Sequence, residues 1–71
     1  MNMIPLTSSN IHSAGYDPTT QTLRISFKSG GTYDYADVSE EQAKSFLESK
    51  SPGRHFHLSI RGEFNSQKVT E

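Results

Sequence analysis

Cationic side chains and a pair of tyrosines are the residues whose chemistry could give this chain a function. The cations that could contact phosphate groups are Arg24, Lys28, Arg54 and Arg61, with His57 as a further donor. Arg54 and Arg61 are seven residues apart, which is about two turns of an α-helix, so a helix would present both on one face. We therefore expect a phosphate-contacting surface in which these two arginines come first, and the unpaired N–H groups of a helix start at Ser51-Pro52-Gly53 would also suit an anion. The alternative is that all these cations are ordinary solvated surface residues.

Tyr33 and Tyr35 are two residues apart, so on a strand their rings lie on the same face. If that face is open and shared with basic side chains, the rings could stack on bases of single-stranded RNA. If it is shared with the apolar side chains of the neighbouring strand, both rings pack in the core and only their hydroxyls reach its rim. The pattern alone leaves both possibilities open.

The residues favour no catalytic or metal site. The eleven serines include none in a Gly-x-Ser-x-Gly turn, and the phosphate-loop motif with its lysine is absent. His55 and His57 would project about 200° apart on a helix, and no third ligand is placed near them. The absence of cysteine excludes disulfides and thiolate zinc sites. We expect a protein that is not an enzyme, with no metal and no cofactor.

Composition limits the chain to one small domain. Its 71 residues are 31% hydrophobic and 21% charged, and the formal net charge is -1. Residues 1–49 contain three Lys and Arg against six Asp and Glu, whereas residues 50–71 contain four against two. We expect one domain over residues 8–66, with flexible termini at 1–7 and 67–71. With neither a signal peptide nor a membrane-spanning run of residues, the expected location is the cytoplasm.

Three strands in a meander are predicted over residues 11–16, 22–28 and 32–38. The second has the clearest pattern, because Leu23, Ile25 and Phe27 alternate with polar or charged residues. An Asp-Pro turn precedes it, and Gly30-Gly31 supplies the positive φ angles of a hairpin after it.

A helix is predicted to begin at Ser39, with Gln42 completing a capping box and Val38 and Ala43 forming a hydrophobic staple. Residues 52–61 fit two structures. Ser51-Pro52 and Gly62 resemble the start and end of a helix, but residues 55–60 also alternate as a strand would. We favour the helix and leave the strand as the alternative.

The predicted fold is α+β: a three-stranded antiparallel β-meander followed by two short helices packed on one face. The expected core residues are Leu23, Ile25, Phe27, Phe46, Leu47, Phe56 and Ile60.

In the order and spacing of its motifs the chain resembles the KTSC domain family. The resemblance covers most of the chain and rests on short motifs: Ser9-Asn10-Ile11 leading into Gly15-Tyr16-Asp17, Leu23-x-Ile25-x-Phe27-x-x-Gly30, Tyr33-x-Tyr35, and Ser51-x-Gly53 leading to Phe56 and Ile60-Arg61-Gly62. Members of this family occur at the C-terminus of some lysyl-tRNA synthetases and as free-standing bacterial and phage proteins. The resemblance implies a small antiparallel sheet packed with helices, and RNA binding. His57 stands where the family often has an amide side chain.

Two functions are expected from these observations. The first is a non-enzymatic module that binds RNA or other single-stranded nucleic acid through Arg54, Arg61 and the basic strand positions. The alternative is a protein-interaction module, such as a small phage-encoded modulator of a host protein. The oligomeric state is not indicated by the sequence.

Overall fold

The computed structural model describes residues 2–69, which form one antiparallel sheet with helices on one face. The strands are β1 (Ile4–Pro5), β2 (Ile11–Asp17), β3 (Thr22–Phe27), β4 (Thr32–Tyr35) and β5 (Ser66–Lys68), and they lie side by side in chain order. Between β4 and β5 the chain forms helix α1 (Glu40–Leu47) and helix α2 (Pro52–His55), which continues as one π-helical segment (Phe56–Ile60). The α+β class is confirmed.

The predicted number of strands is too low, because the sheet has five. The three expected strands are its centre, and β1 and β5 add one short strand at each edge. These edge strands have two and three residues, contain Pro5 or only polar side chains, and pair through the backbone. Strands of this kind have no alternating pattern of buried side chains, so they could not be predicted from the sequence.

Both edge strands reach into the segments that were expected to be flexible. Ile4 and Pro5 pair with Ala14 and Ser13, and the residues of β5 pair with β4. Met1 and residues 70–71, which also belong to those segments, lie outside the described residues. The domain limits at residues 8 and 66 stay a prediction.

A β-bulge places two core residues of β2 on the same face. Ile11 pairs with Phe27, but Ser13 already pairs with Ser26, so His12 is an extra residue in β2. Ile11 and Ala14, three positions apart, would face opposite sides of a regular strand. With the bulge, both are fully buried in the core.

Helix α1 begins as predicted. The Gln42 N–H donates to Ser39 Oγ at 3.2 Å, and the Ser39 N–H donates to Gln42 Oε1 at 3.1 Å, which is a complete capping box. Val38 and Ala43 on either side of the cap are buried, and so is Phe46. The helix thus packs its apolar stripe on the sheet.

Residues 52–60 are helical, so the strand alternative is wrong. The predicted ten-residue α-helix is only partly correct, because α2 has one α-helical turn and the next five residues form wider π-helical turns. The Arg61 N–H donates to the Phe56 carbonyl at 2.8 Å, an i→i+5 bond. Pro52 is at the start as predicted, but the Ser51 side chain makes no capping hydrogen bond. Gly62, with φ of 82°, follows the end of the segment.

The core lies between the sheet and these helices. Five of the seven expected core residues are buried, and Phe27 and Leu47 are partly buried against them. Further buried residues are Ile11, Ala14, Tyr35, Val38 and Ala43. None of the helices in the described part of the chain has the length and apolar character needed to cross a bilayer.

Candidate nucleic-acid interface

Tyr33 and Tyr35 lie on the core face of the sheet. Tyr35 pairs with Leu23 and Tyr33 pairs with Ile25, and side chains of paired residues point to the same side. The Tyr35 ring is 6% exposed and packs edge-to-face on Phe56, with ring centroids 5.6 Å apart. Tyr33 is partly buried and packs on Phe27 at 5.9 Å. The open platform beside the basic strand residues is therefore not formed, and burial of Tyr35 leaves it unsuited to base stacking.

Burial also affects the acidity of the Tyr35 phenol. Desolvation raises its pKa above the ordinary value of 10.0, with a smaller contribution in the same direction from Tyr33. The positive charge of Arg61 acts in the opposite direction.

Arg24 lies on the outer face of the sheet, where its charge is matched by an acidic neighbour. It pairs across the strands with Asp34, and Nε and Nη2 donate to the two carboxylate oxygens at 2.7 and 3.0 Å. These hydrogen bonds, and then the charge of Asp34, raise the pKa of Arg24 above its ordinary value. A guanidinium held in this bidentate pair is less available to a phosphate.

Lys28 lies beyond the end of β3 and reaches the N-terminal loop. Its Nζ donates a hydrogen bond to the Ser8 carbonyl. The same loop is stabilised locally, since Ser8 Oγ donates to Asn10 Oδ1 at 2.9 Å and accepts from the Ile11 N–H at 3.2 Å. Lys28 is thus held beside the loop of residues 7–10, away from Arg24.

Arg54 and Arg61 have different neighbours. Arg54 is exposed on α2, facing the N-terminal loop. Arg61 is exposed after the π-helical segment, and its Nη1 lies 3.4 Å from His57 Nδ1. The expectation of one shared helical face assumed α-helical turns throughout. It is not supported, because the i→i+5 turns between Phe56 and Arg61 change the angular spacing.

A depression of about 230 Å³ lies between the N-terminal loop and the start of α2. We call it the loop–helix depression; its lining residues are Thr7, Ser8, Ser9, Lys50, Ser51, Pro52, Gly53 and Arg54. Two cations and four hydroxyl groups are among them, and no carboxylate is among the described lining residues. Of this set, the sequence indicated Arg54 and the helix start at residues 51–53 as places for an anion, but the contact between residues 7–9 and 50–54 is a tertiary feature.

Gly53 brings the two sides of this depression together. A Cβ atom at Gly53 would lie 2.5 Å from Asn10 Oδ1 and 3.1 Å from Ser8 Oγ, closer than side chains normally approach. A side chain at this position would require the Asn10 and Ser8 side chains to shift. Ser9-Asn10 and Ser51-x-Gly53 are both among the short motifs noted in the sequence. Their joint presence is the signal that could have indicated this contact between loop and helix.

The two histidines of the C-terminal half face different surroundings. The His55 ring packs edge-to-face on Phe46 at 5.9 Å, whereas His57 lies beside Arg61. Within residues 2–69, no group of three His, Asp or Glu side chains is arranged to hold a metal ion.

His55 and Ser59 also line two further depressions, one of them a cleft of about 340 Å³ against α1. Leu58, which lines the other, is 67% exposed.

Comparison with known proteins gives a consistent set of relatives. The KTSC domain model matches residues 7–64. An uncharacterized protein of Stutzerimonas stutzeri is 44% identical over 57 residues, covering 80% of each chain. A lysine–tRNA ligase of Nostoc is 36% identical over 55 residues, which is 78% of this chain but 10% of the ligase.

A solved structure matches the fold closely. The crystal structure of a KTSC domain protein from Yersinia pestis superimposes with a TM-score of 0.94 at 39% identity, and the match covers 97% of both chains. The family model and this structure both cover most of the chain, so the chain belongs to the KTSC domain family.

Proposed function

We propose that this protein is a non-enzymatic module that binds RNA or other single-stranded nucleic acid. The observation that carries the proposal is a set of exposed cations in the basic segment of residues 50–71 that form no salt bridge among the described residues. Lys50, Arg54 and Arg61 are exposed, and within residues 2–69 the only salt bridge is the one that neutralises Arg24. Free cations are what phosphate groups bind, and they supply most of the affinity of sequence-independent binders.

The relatives support RNA as the ligand class. One is a lysine–tRNA ligase, in which the similar segment spans about a tenth of the chain. A domain attached to an enzyme named for tRNA is well placed to contact RNA. In this protein the contacts would come from Arg54, Arg61 and Lys28, with a smaller contribution from Arg24 because Asp34 competes for its guanidinium.

Fluorescence anisotropy with tRNA and single-stranded oligonucleotides at about 50 mM salt tests the proposal. We expect binding by the native protein and weaker binding by Arg54→Ala and Arg61→Ala. Lys44→Ala is the matched control, because Lys44 is an exposed cation on α1 that lines none of the three depressions. Absence of binding, or equal losses in all three variants, contradicts the proposal.

The second candidate function is a protein-interaction module, and the exposed Leu58 favours it. A leucine that is 67% exposed beside a depression lined by His55 and Ser59 is a natural contact for an apolar side chain of a partner. The sheet edges favour it less, because short polar or proline-containing edge strands disfavour pairing with another chain.

A capture experiment separates the two functions. The native protein and Leu58→Ser are used as baits in bacterial lysate before and after nuclease treatment. A protein retained after nuclease by the native chain and lost with Leu58→Ser supports the protein-interaction function. Loss of every captured protein on nuclease treatment argues for nucleic acid instead.

A further inference from the structure

We propose that the loop–helix depression is a binding site for one phosphate group, in the form of a backbone phosphodiester or of a free phosphate. This inference deepens the proposed function and, for the phosphodiester form, rests on it. It assigns ligand contacts to Lys50 and to the hydroxyl groups of Thr7 and Ser9, in addition to Arg54.

The first argument is the chemistry of the lining. Lys50 and Arg54 supply two positive charges, and Thr7, Ser9 and Ser51 supply hydroxyl groups that can donate to oxygen, whereas the Ser8 hydroxyl already donates to Asn10 Oδ1. A lining of cations and hydroxyl donors without a carboxylate is complementary to an oxyanion and unfavourable to a cation.

The second argument is size. Sites for drug-sized ligands commonly have volumes of about 300–1,000 Å³. The depression, at about 230 Å³, lies below that range and is open to solvent, so it suits a small group that can be part of a longer chain. A phosphate in a nucleic-acid backbone meets this description.

The third argument is preorganisation. The loop side is held by the Ser8 and Asn10 hydrogen bonds and by Lys28 donating to the Ser8 carbonyl. Gly53 lies so close to Asn10 that the helix side is directly against the loop. A site whose two walls are already joined loses little conformational entropy when the ligand binds. Lys28 also places a third positive charge next to the lining.

Amide NMR with two probes tests the inference. Inorganic phosphate is titrated against sodium chloride at matched ionic strength, and an oligouridylate without terminal phosphates serves as the source of phosphodiesters. We expect saturable shifts at Ser8, Ser9, Gly53 and Arg54 with at least one probe. Arg54→Ala and Lys50→Ala should each weaken that binding about tenfold, because each removes a charge-assisted hydrogen bond to the phosphate, and Lys44→Ala should not.

The two probes separate this inference from the proposed function. If the oligouridylate binds elsewhere, with no shifts in the depression, no effect of Arg54→Ala or Lys50→Ala and a loss of affinity in Arg61→Ala, the inference is overturned and the proposed function stands. Saturable binding of phosphate without binding of the oligouridylate supports the depression as a free-phosphate site and contradicts the proposed function. Shifts that sodium chloride reproduces overturn the inference, because they reflect ionic screening alone.

Discussion

Arg24 and Arg54 carry the same guanidinium group but lie in different electrostatic surroundings. Arg24 has an aspartate directly across the strand pair and forms a bidentate bond with it. Arg54 is exposed beside Lys50 in a depression whose described lining contains no acidic residue. By residue type, Arg24 and Arg54 were both candidates for phosphate contact. They differ in that Arg24 has a carboxylate next to it in the folded protein, whereas Arg54 has no acidic residue in the described lining around it.

At the same scale, the raised pKa of Tyr35 predicts a loss of stability in alkali. Because burial raises the pKa, the folded state favours the neutral phenol. The stabilisation is fully present below the unfolded pKa of about 10 and is lost as the pH rises through the folded-state pKa. We expect the free energy of unfolding to fall above about pH 10, and to fall less in Tyr35→Phe.

Urea denaturation at a series of alkaline pH values, with tyrosinate absorbance recorded in parallel, measures this effect. Tyr16 also has a raised pKa, mainly through desolvation, so Tyr35→Phe should reduce the dependence on pH without abolishing it. An identical pH dependence in the native protein and Tyr35→Phe would show that Tyr35 does not contribute.

At the scale of elements, the two helices differ in how far local residues determine them. Helix α1 has a complete capping box, acidic residues in its first turn and an apolar stripe, all of which are close in sequence. Helix α2 has one α-helical turn without a side-chain cap and then widens into π-helical turns. In the widened segment Phe56 and Ile60 are both buried, so packing on the core accompanies the departure from α-helical geometry.

Removing the cap of α1 should therefore destabilise the protein. Ser39→Ala abolishes the acceptor for the Gln42 N–H, and the expected loss is about 1 kcal/mol in the free energy of unfolding. Chemical denaturation measures it. Ser45→Ala is the control, since Ser45 is exposed within the same helix and alanine has the higher helix propensity. Equal losses in both variants would mean that the cap contributes nothing.

The contact between the N-terminal loop and α2 predicts coupling between Asn10 and Gly53. A methyl group at Gly53 meets Asn10 Oδ1, and Asn10→Ala removes that atom. We expect Gly53→Ala to be better tolerated in the Asn10→Ala background than in the native protein, by about 1 kcal/mol. A double-mutant cycle of unfolding free energies measures the coupling. Additive effects would indicate that there is no steric contact between the loop and the helix at these two positions.

At the scale of the whole molecule, the near-neutral net charge hides a separation of charge along the chain. The total of -1 combines an acidic segment of residues 1–49 with a basic segment of residues 50–71. A molecule with this net charge has no strong overall attraction for polyanions. Any binding of nucleic acid must come from a small number of local contacts.

The small number of contacts predicts that the affinity for nucleic acid depends only weakly on salt concentration. With about three phosphate contacts, at Lys28, Arg54 and Arg61, the slope of log K against log salt should be about -2 for a single strand. Arg54→Ala should make the slope less steep by about 0.7. Anisotropy titrations at several salt concentrations measure both values. A slope near zero in the native protein contradicts phosphate contact altogether.

Short-range patterns in the sequence by themselves determined the class of fold and its best-defined parts. The alternation of β3, the glycine hairpin and the Ser39 cap each depend on residues that are neighbours along the chain, and each is present in the structure. Membership of the KTSC family was likewise indicated by the order of motifs and is confirmed.

Tertiary structure alone decided the sheet edges, the side of the tyrosines and the content of the candidate site. Edge strands β1 and β5 pair through backbone groups, which carry no side-chain pattern. The burial of Tyr35 follows from its register with β3, and the neutralisation of Arg24 follows from the same pairing. The loop–helix depression joins segments about forty residues apart, and long-range contacts of this kind leave no periodic signal in a single sequence.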